Sequence, residues 1–255
     1  MYRPFFVTFL LILFPAFFFS APVGNPYLPS ILEEGLFIPD TFWSNIQLGF
    51  TEDFLLQKKM KQSKESQIGS IRKARIQGIA QIGDISWTIR EQFDLTAELG
   101  TGQISWSWTQ PGLRLSGESD TGFFWGGSAK LVFFEIKDTA FSAFGQAGGA
   151  DDLKSWVCFN GNPGSVKTKL KLRYWQAGGA VTQRIGFFSP YFGCLANQTF
   201  FKVSRLPDGA ARLEPRMIVG PILGCTLSTG STFSLNMEWR GWFEEGLSIS
   251  GQVRF

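Results

Sequence analysis

Histidine is absent from the 255 residues. With it go the commonest general base, the Ser-His-Asp arrangement and most transition-metal sites. No Cys-x-x-Cys, Gly-rich phosphate loop or Asp-rich calcium loop takes its place. The residues point away from an enzyme and imply no catalytic residue, metal or cofactor. Asp151-Asp152 reads as a solvated loop tip, and Asn197-Gln198-Thr199 fits a glycosylation sequon only by chance. Charge is scarce as well, at 18% of residues, with 24 Lys plus Arg against 21 Asp plus Glu. That balance lacks the basic excess of a nucleic-acid binder. Past residue 21 no apolar run reaches the ~18 residues of a membrane-crossing helix.

Cysteine is represented by Cys158, Cys194 and Cys225 alone. An odd count in an exported chain leaves at least one thiol free or paired outside the chain. Cys158, in a loop-like stretch, is the better candidate for an intermolecular link. Cys194 and Cys225, in strand-like stretches, read as small buried apolar residues.

What the chain has in quantity is aromatic side chains and glycine: 27 Phe, 9 Trp and 29 Gly. Its first 21 residues are set apart. Arg3 precedes an apolar run from Phe5 to Phe19, and Ser20-Ala21 supplies small residues at the end. This is the layout of a secretory signal peptide; the alternative, an uncleaved anchor, is too short and is broken by Pro15. Residues 22–40, rich in Pro and Gly, form an irregular N-terminal arm, and 41–255 are one domain.

That domain alternates with a period of two, the signature of strands. Phe233, Leu235, Met237 and Trp239 oppose Ser234, Asn236, Glu238 and Arg240. Leu247, Ile249, Gly251 and Val253 oppose Ser248, Ser250, Gln252 and Arg254. The same pattern recurs at Ile46 to Phe50, Phe93 to Leu99, Ile104 to Trp108 and Trp125 to Phe133. Between Ala74 and Ile89 the apolar parity switches near Gly83-Asp84, which predicts a bulge. Residues 57–70, 148–166 and 204–211 read as long polar loops, opposite tight turns such as Lys137-Asp138. Short turns on one side and long loops on the other fit an outer-membrane barrel. The expected fold is all-β, a transmembrane antiparallel barrel of about 12 strands, or 10 if the pieces at 103–109 and 113–116 fail. A soluble β-sandwich has the same period and stays open on periodicity alone.

Several segments resemble the chlamydial major outer membrane porin family, in order along the chain. Pro22-Val23-Gly24-Asn25-Pro26 with Pro29-Ser30 resembles that family's mature N-terminus. Leu48-Gly49-Phe50 with Asp53-Phe54 resembles its first strand, and Gln92-Phe93-Asp94-Leu95 with Leu99-Gly100 an inner segment. Tyr174-Trp175-Gln176-Ala177 and Ser189-Pro190-Tyr191-Phe192-Gly193 are similar to a late strand pair, and Gln252-Val253-Arg254-Phe255 to its chain end. The resemblance implies a bacterial outer-membrane barrel that forms homotrimers and passes small solutes. This chain is shorter and poorer in cysteine than that family. A terminal Phe255 also fits the signal read by barrel-assembly machinery.

Function then rests on the polar face. Lys130, Glu238, Arg240 and Arg254 belong to it, and Lys169, Lys171 and Arg173 are expected to join it or sit at the rim. This visible set is more basic than acidic, which favours anions. The expectation is a porin for small hydrophilic solutes with weak anion preference. The alternative is a structural or adhesive barrel with a plugged lumen, touching partners through the loop around Trp156 to Asn162.

Overall fold

The computed structural model describes residues 24–25, 46–89, 92–228 and 232–254. The expected signal peptide at 1–21, most of the expected N-terminal arm and Phe255 lie outside them. The strands are β1 (Ile46–Gln62), β2 (Arg72–Ile89), β3 (Phe93–Gln110), β4 (Leu113–Ser119), β5 (Gly122–Ile136), β6 (Thr139–Phe159), β7 (Asn162–Gln183), β8 (Phe188–Leu206), β9 (Gly209–Pro215), β10 (Val219–Ser228), β11 (Phe233–Arg240) and β12 (Glu245–Arg254). All pairings are antiparallel within one twelve-stranded sheet.

The sheet closes twice, with different strand numbers. Near both described chain ends the ring runs β1, β2, β3, β5, β6, β7, β8, β10, β11, β12 and back to β1, ten strands. At the opposite end it runs β1, β2, β3, β4, β6, β7, β8, β9 and back to β1, eight strands. β4 and β5 share the same two neighbours, β3 and β6, one above the other. The C-terminal hairpin β11–β12 is therefore a wedge. It enters between β10 and β1 in the wide half only. Above it, Met60 to Gln62 of β1 pair instead with Leu213 to Pro215 of β9. The β1 register shifts between Leu55 and Lys58, where the partner changes.

The faces of each strand exchange chemistry along its length. On β3 the inward side chains are Asp94, Thr96 and Glu98 in the wide half, then Ile104, Trp106 and Trp108 in the narrow head. The outward ones are Phe93, Leu95, Ala97 and Leu99, then Thr101, Gln103, Ser105 and Ser107. β2 does the same, with Asp84, Ser86 and Thr88 inside below Ala74, Ile76 and Ala80. The switch at Gly83-Asp84 is thus no bulge, since both ladders of β2 run unbroken through it. It is the height at which water and oil change sides.

Below that height the exterior is an apolar belt. Phe123, Trp125, Gly127, Ala129, Leu131 and Phe133 on β5 face out and span the about 9–11 residues of a tilted membrane strand. Exposed Trp125, Trp175, Trp239 and Trp242 mark the upper rim, and Trp87, Phe133, Phe134 and Phe187 the lower, as in the aromatic girdles of membrane barrels. Above it, the head is an ordinary soluble barrel with a polar exterior. Ring closure and this belt answer the sandwich alternative.

The predicted polar loops are largely strand. Residues 57–62, 148–159, 162–166 and 204–206 continue β1, β6, β7 and β8 into the head, and 209–211 begin β9. Lys and Asp are plentiful there because the head's outer wall is wet. Asn160 and Gly161, both at positive φ (50° and 86°), make the β6–β7 turn, the backbone a two-residue hairpin needs.

Candidate functional site

The lumen has a polar lower chamber and an apolar upper one. Lys130, Glu238, Arg240 and Arg254 face inward and are buried. Lys169, Lys171 and Arg173 do not join them. Their neighbours Leu170, Leu172 and Tyr174 take the inward parity of β7, so the three cations lie on the outside. There Lys169 pairs with Asp152 at 3.2 Å, and Lys171 and Arg173 pair with Asp151 at 3.1 and 2.5 Å. The inward set also holds residues that the sequence pattern did not single out: Asp53, Lys58, Asp84, Asp94, Glu98 and Glu244. Among the described residues, acids outnumber bases inside. The expected basic bias is reversed chiefly by the inward Asp53, Asp84, Asp94, Glu98 and Glu244, and the three outward cations do not add to the lumen.

The densest part of this chamber is the fork at the wedge tip. Arg240 reaches Asp53 at 2.5 Å, Glu238 at 3.2 Å and Glu244 at 2.9 Å, all without solvent exposure. Lys58 binds the other oxygen of Glu244 at 2.9 Å and donates to Asn197 Oδ1 at 2.5 Å. Its ammonium also stands 5.6 Å from the Phe243 ring centroid. Tyr191 donates to Glu238 at 3.0 Å. From Asn197 the chain of bonds crosses the lumen. Asn197 Nδ2 donates to Gln176 (3.0 Å), Gln176 to Gln146 (2.5 Å), and Gln146 to both oxygens of Glu98 (2.9 and 2.8 Å). Side chains from β1, β11, β8, β7, β6 and β3 are thereby tied into one layer. A buried charge is tolerable only when paired and hydrogen-bonded; the fork meets that condition, and Glu98 takes its hydrogen bonds from Gln146.

Above the layer the lumen is filled. Trp106 and Trp108 stack with centroids 4.3 Å apart. Leu170, Phe201, Val203, Leu213, Val157 and Ile104 pack with them in one cluster, each at most 1 % exposed. An eight-stranded barrel has an interior that side chains just fill, and here they are apolar. Below the layer Asn25 is fully buried and accepts a hydrogen bond from Thr182 at 2.9 Å, so this part of the N-terminal arm lies inside the barrel.

Cys158, Cys194 and Cys225 are free thiols. Cys194 is exposed and Cys225 half-buried, both on outward positions of the belt, so neither is the buried core residue expected. Lipid tolerates a small apolar thiol as readily as a core does. Cys158 faces out from the head, beside Trp156.

No protein-family model matches the chain, and no curated protein matches it. Among solved structures, the translocator domain of the autotransporter NalP from Neisseria meningitidis is similar at 10% identity and TM-score 0.44, over 83% of this chain and 88% of that one. The outer-membrane protease OmpT from Escherichia coli is similar at 10% identity and TM-score 0.47, over 83% and 97%. The toluene transporter TodX from Pseudomonas putida is similar at 11% identity and TM-score 0.38, over 92% and 93%.

Proposed function

We propose that this chain is an integral barrel of a bacterial outer membrane whose lumen is closed to through-diffusion, and that it acts by presenting its eight-stranded head beyond the membrane. The observation that carries this reading is the apolar seal: among the described residues, Trp106, Trp108, Leu170, Phe201 and Leu213 fill the interior of the eight-stranded ring. The head's wet outer wall, from Trp156 to the Asn160-Gly161 turn, becomes the contact surface of a structural or adhesive barrel.

Passive diffusion of small hydrophilic solutes has one feature in its favour, the charged lower chamber. It requires the seal to move aside. Conductance of the refolded mature protein in a planar bilayer decides between the two. A folded, heat-modifiable band with no discrete current steps is expected. Steps that vanish on denaturation would overturn the closed reading, and the acidic interior then favours cations. The homotrimer implied by the chlamydial resemblance is read from the native mass of the same detergent-solubilised sample, and docking to the assembly machinery through Phe255 from the yield of a chain lacking it.

A further inference from the structure

Outward side chains directly opposite each other on neighbouring strands repel when both carry the same charge. The head breaks that rule repeatedly, as where Lys154 on β6 stands opposite Lys169 on β7, and most densely in one row just above the belt. Lys171 on β7 stands opposite Lys202 on β8, and Lys202 stands in turn opposite Arg212 on β9. All three point away from the lumen, since Leu172, Phe201 and Leu213 take the inward positions. Neighbouring acids offset part of this charge: Asp151 pairs with both Lys171 and Arg173, and Glu65 with Arg212. The opposition of Lys171 and Lys202 remains. One strand further round, on β1 and β2 beside β9, Lys59 stands opposite Arg75.

The height of the row identifies what neutralises it. Two residues below Lys202 is Phe200, half exposed on the belt. Two residues below Lys171 is Arg173, whose guanidinium lies over the rim indole of Trp125, 4.9 Å from the centroid. Two residues of strand are roughly 7 Å, so the ammonium groups stand at the headgroup level of the leaflet that wets Trp125 and Phe200. Arginine presents a fork that matches phosphate oxygens, and lysine a point charge that tolerates any approach.

We infer that Lys171, Arg173 and Lys202 form an external binding patch for the phosphate-bearing headgroup of an anionic lipid in the leaflet next to the head. The inference rests on the membrane placement proposed above. The lipid's acyl chains lie along Phe200 and Trp125, and its phosphate bridges the opposed cations. Repulsion built into the bare sheet becomes attraction on the loaded one.

The test reconstitutes the full mature chain in nanodiscs of phosphatidylcholine with a minor share of phosphatidic acid, then measures by mass spectrometry the lipids retained on detergent extraction. Enrichment of phosphatidic acid over phosphatidylcholine is expected. Each cation near an anionic surface contributes about five-fold, so K171Q/R173Q/K202Q should lower the enrichment by about a hundredfold at low salt. K64Q/R114Q/R205Q, which removes equal charge from the head's tip, should keep it. Added inorganic phosphate should not displace the lipid, because a free anion brings no acyl contact; displacement would reassign the patch to soluble phosphate and overturn the lipid assignment. A wild type that enters nanodiscs but retains both lipids in proportion sinks the patch and leaves the membrane reading standing. A chain that will not enter nanodiscs sinks both.

Discussion

Arg240 on β11 binds Asp53 on β1 at 2.5 Å where neither side chain touches solvent, and this contact pins the wedge at the point where β1 exchanges β12 for β9. The hairpin that widens the barrel is held by the guanidinium at its own tip. Glu238 and Glu244, on the same hairpin, complete that guanidinium's ligands.

Replacing Arg240 by Met removes the guanidinium that the three buried carboxylates of Asp53, Glu238 and Glu244 share. Removing one partner of a buried ionic group typically costs about 3–5 kcal/mol. Arg240→Met should lower the urea midpoint of the folded band in lipid vesicles accordingly. An unchanged midpoint would mean that the fork is held by strand pairing and not by charge.

The exchange of faces along β3 is tested with one residue type at two heights. Ala97 faces out from the belt and Ser107 faces out from the head. Ala97→Arg should cost about 2–4 kcal/mol, the penalty for a cation on a lipid face near the bilayer midplane. Ser107→Arg should stay within about 0.5 kcal/mol, as surface changes do. Equal costs in vesicle unfolding would remove the belt from the account.

The seal should behave as a protein core. Trp108 is 1 % exposed and stacked on Trp106. Trp108→Ala should destabilise by about 3–5 kcal/mol, while Trp108→Phe, which keeps most of the packing, should cost less. If Trp108→Ala leaves the unfolding midpoint where it was, the upper chamber is not tightly packed.

The three thiols report position directly. In bilayers a charged, membrane-impermeant maleimide should label Cys158, on the wet wall of the head, and spare Cys194 and Cys225, on the lipid face. Unfolding in urea should expose all three. Labelling of Cys194 in intact vesicles would place the belt elsewhere.

Much of this architecture is written in local pattern. The alternation of Phe233 to Arg240 and of Leu247 to Arg254 is enough to define β11 and β12 and which of their residues share a face. The turn at Lys137-Asp138 lies where its residue types place it, with Lys137 at φ 55°. Two features misled. Residues 57–62 looked like a loop because Lys58, Lys59 and Lys61 are charged, yet Lys58 is buried at the fork and Lys59 and Lys61 face water. The charges on β7 are expected in the lumen or at its rim because they alternate with Leu170 and Leu172, and these leucines turn out to be the inward set.

Sequence by itself determined that these segments are strands, and which residues stand together on each face, because a pleated backbone sends successive side chains to opposite sides whatever surrounds it. It could not determine which face is the inside. That depends on what lies across from each face, a filled lumen, a wet chamber, lipid or water. Only long-range pairing supplies it, with β1 meeting β9 at one height and β12 at another. The closure that makes one end eight strands and the other ten decides where oil packs against oil inside and where it must face out.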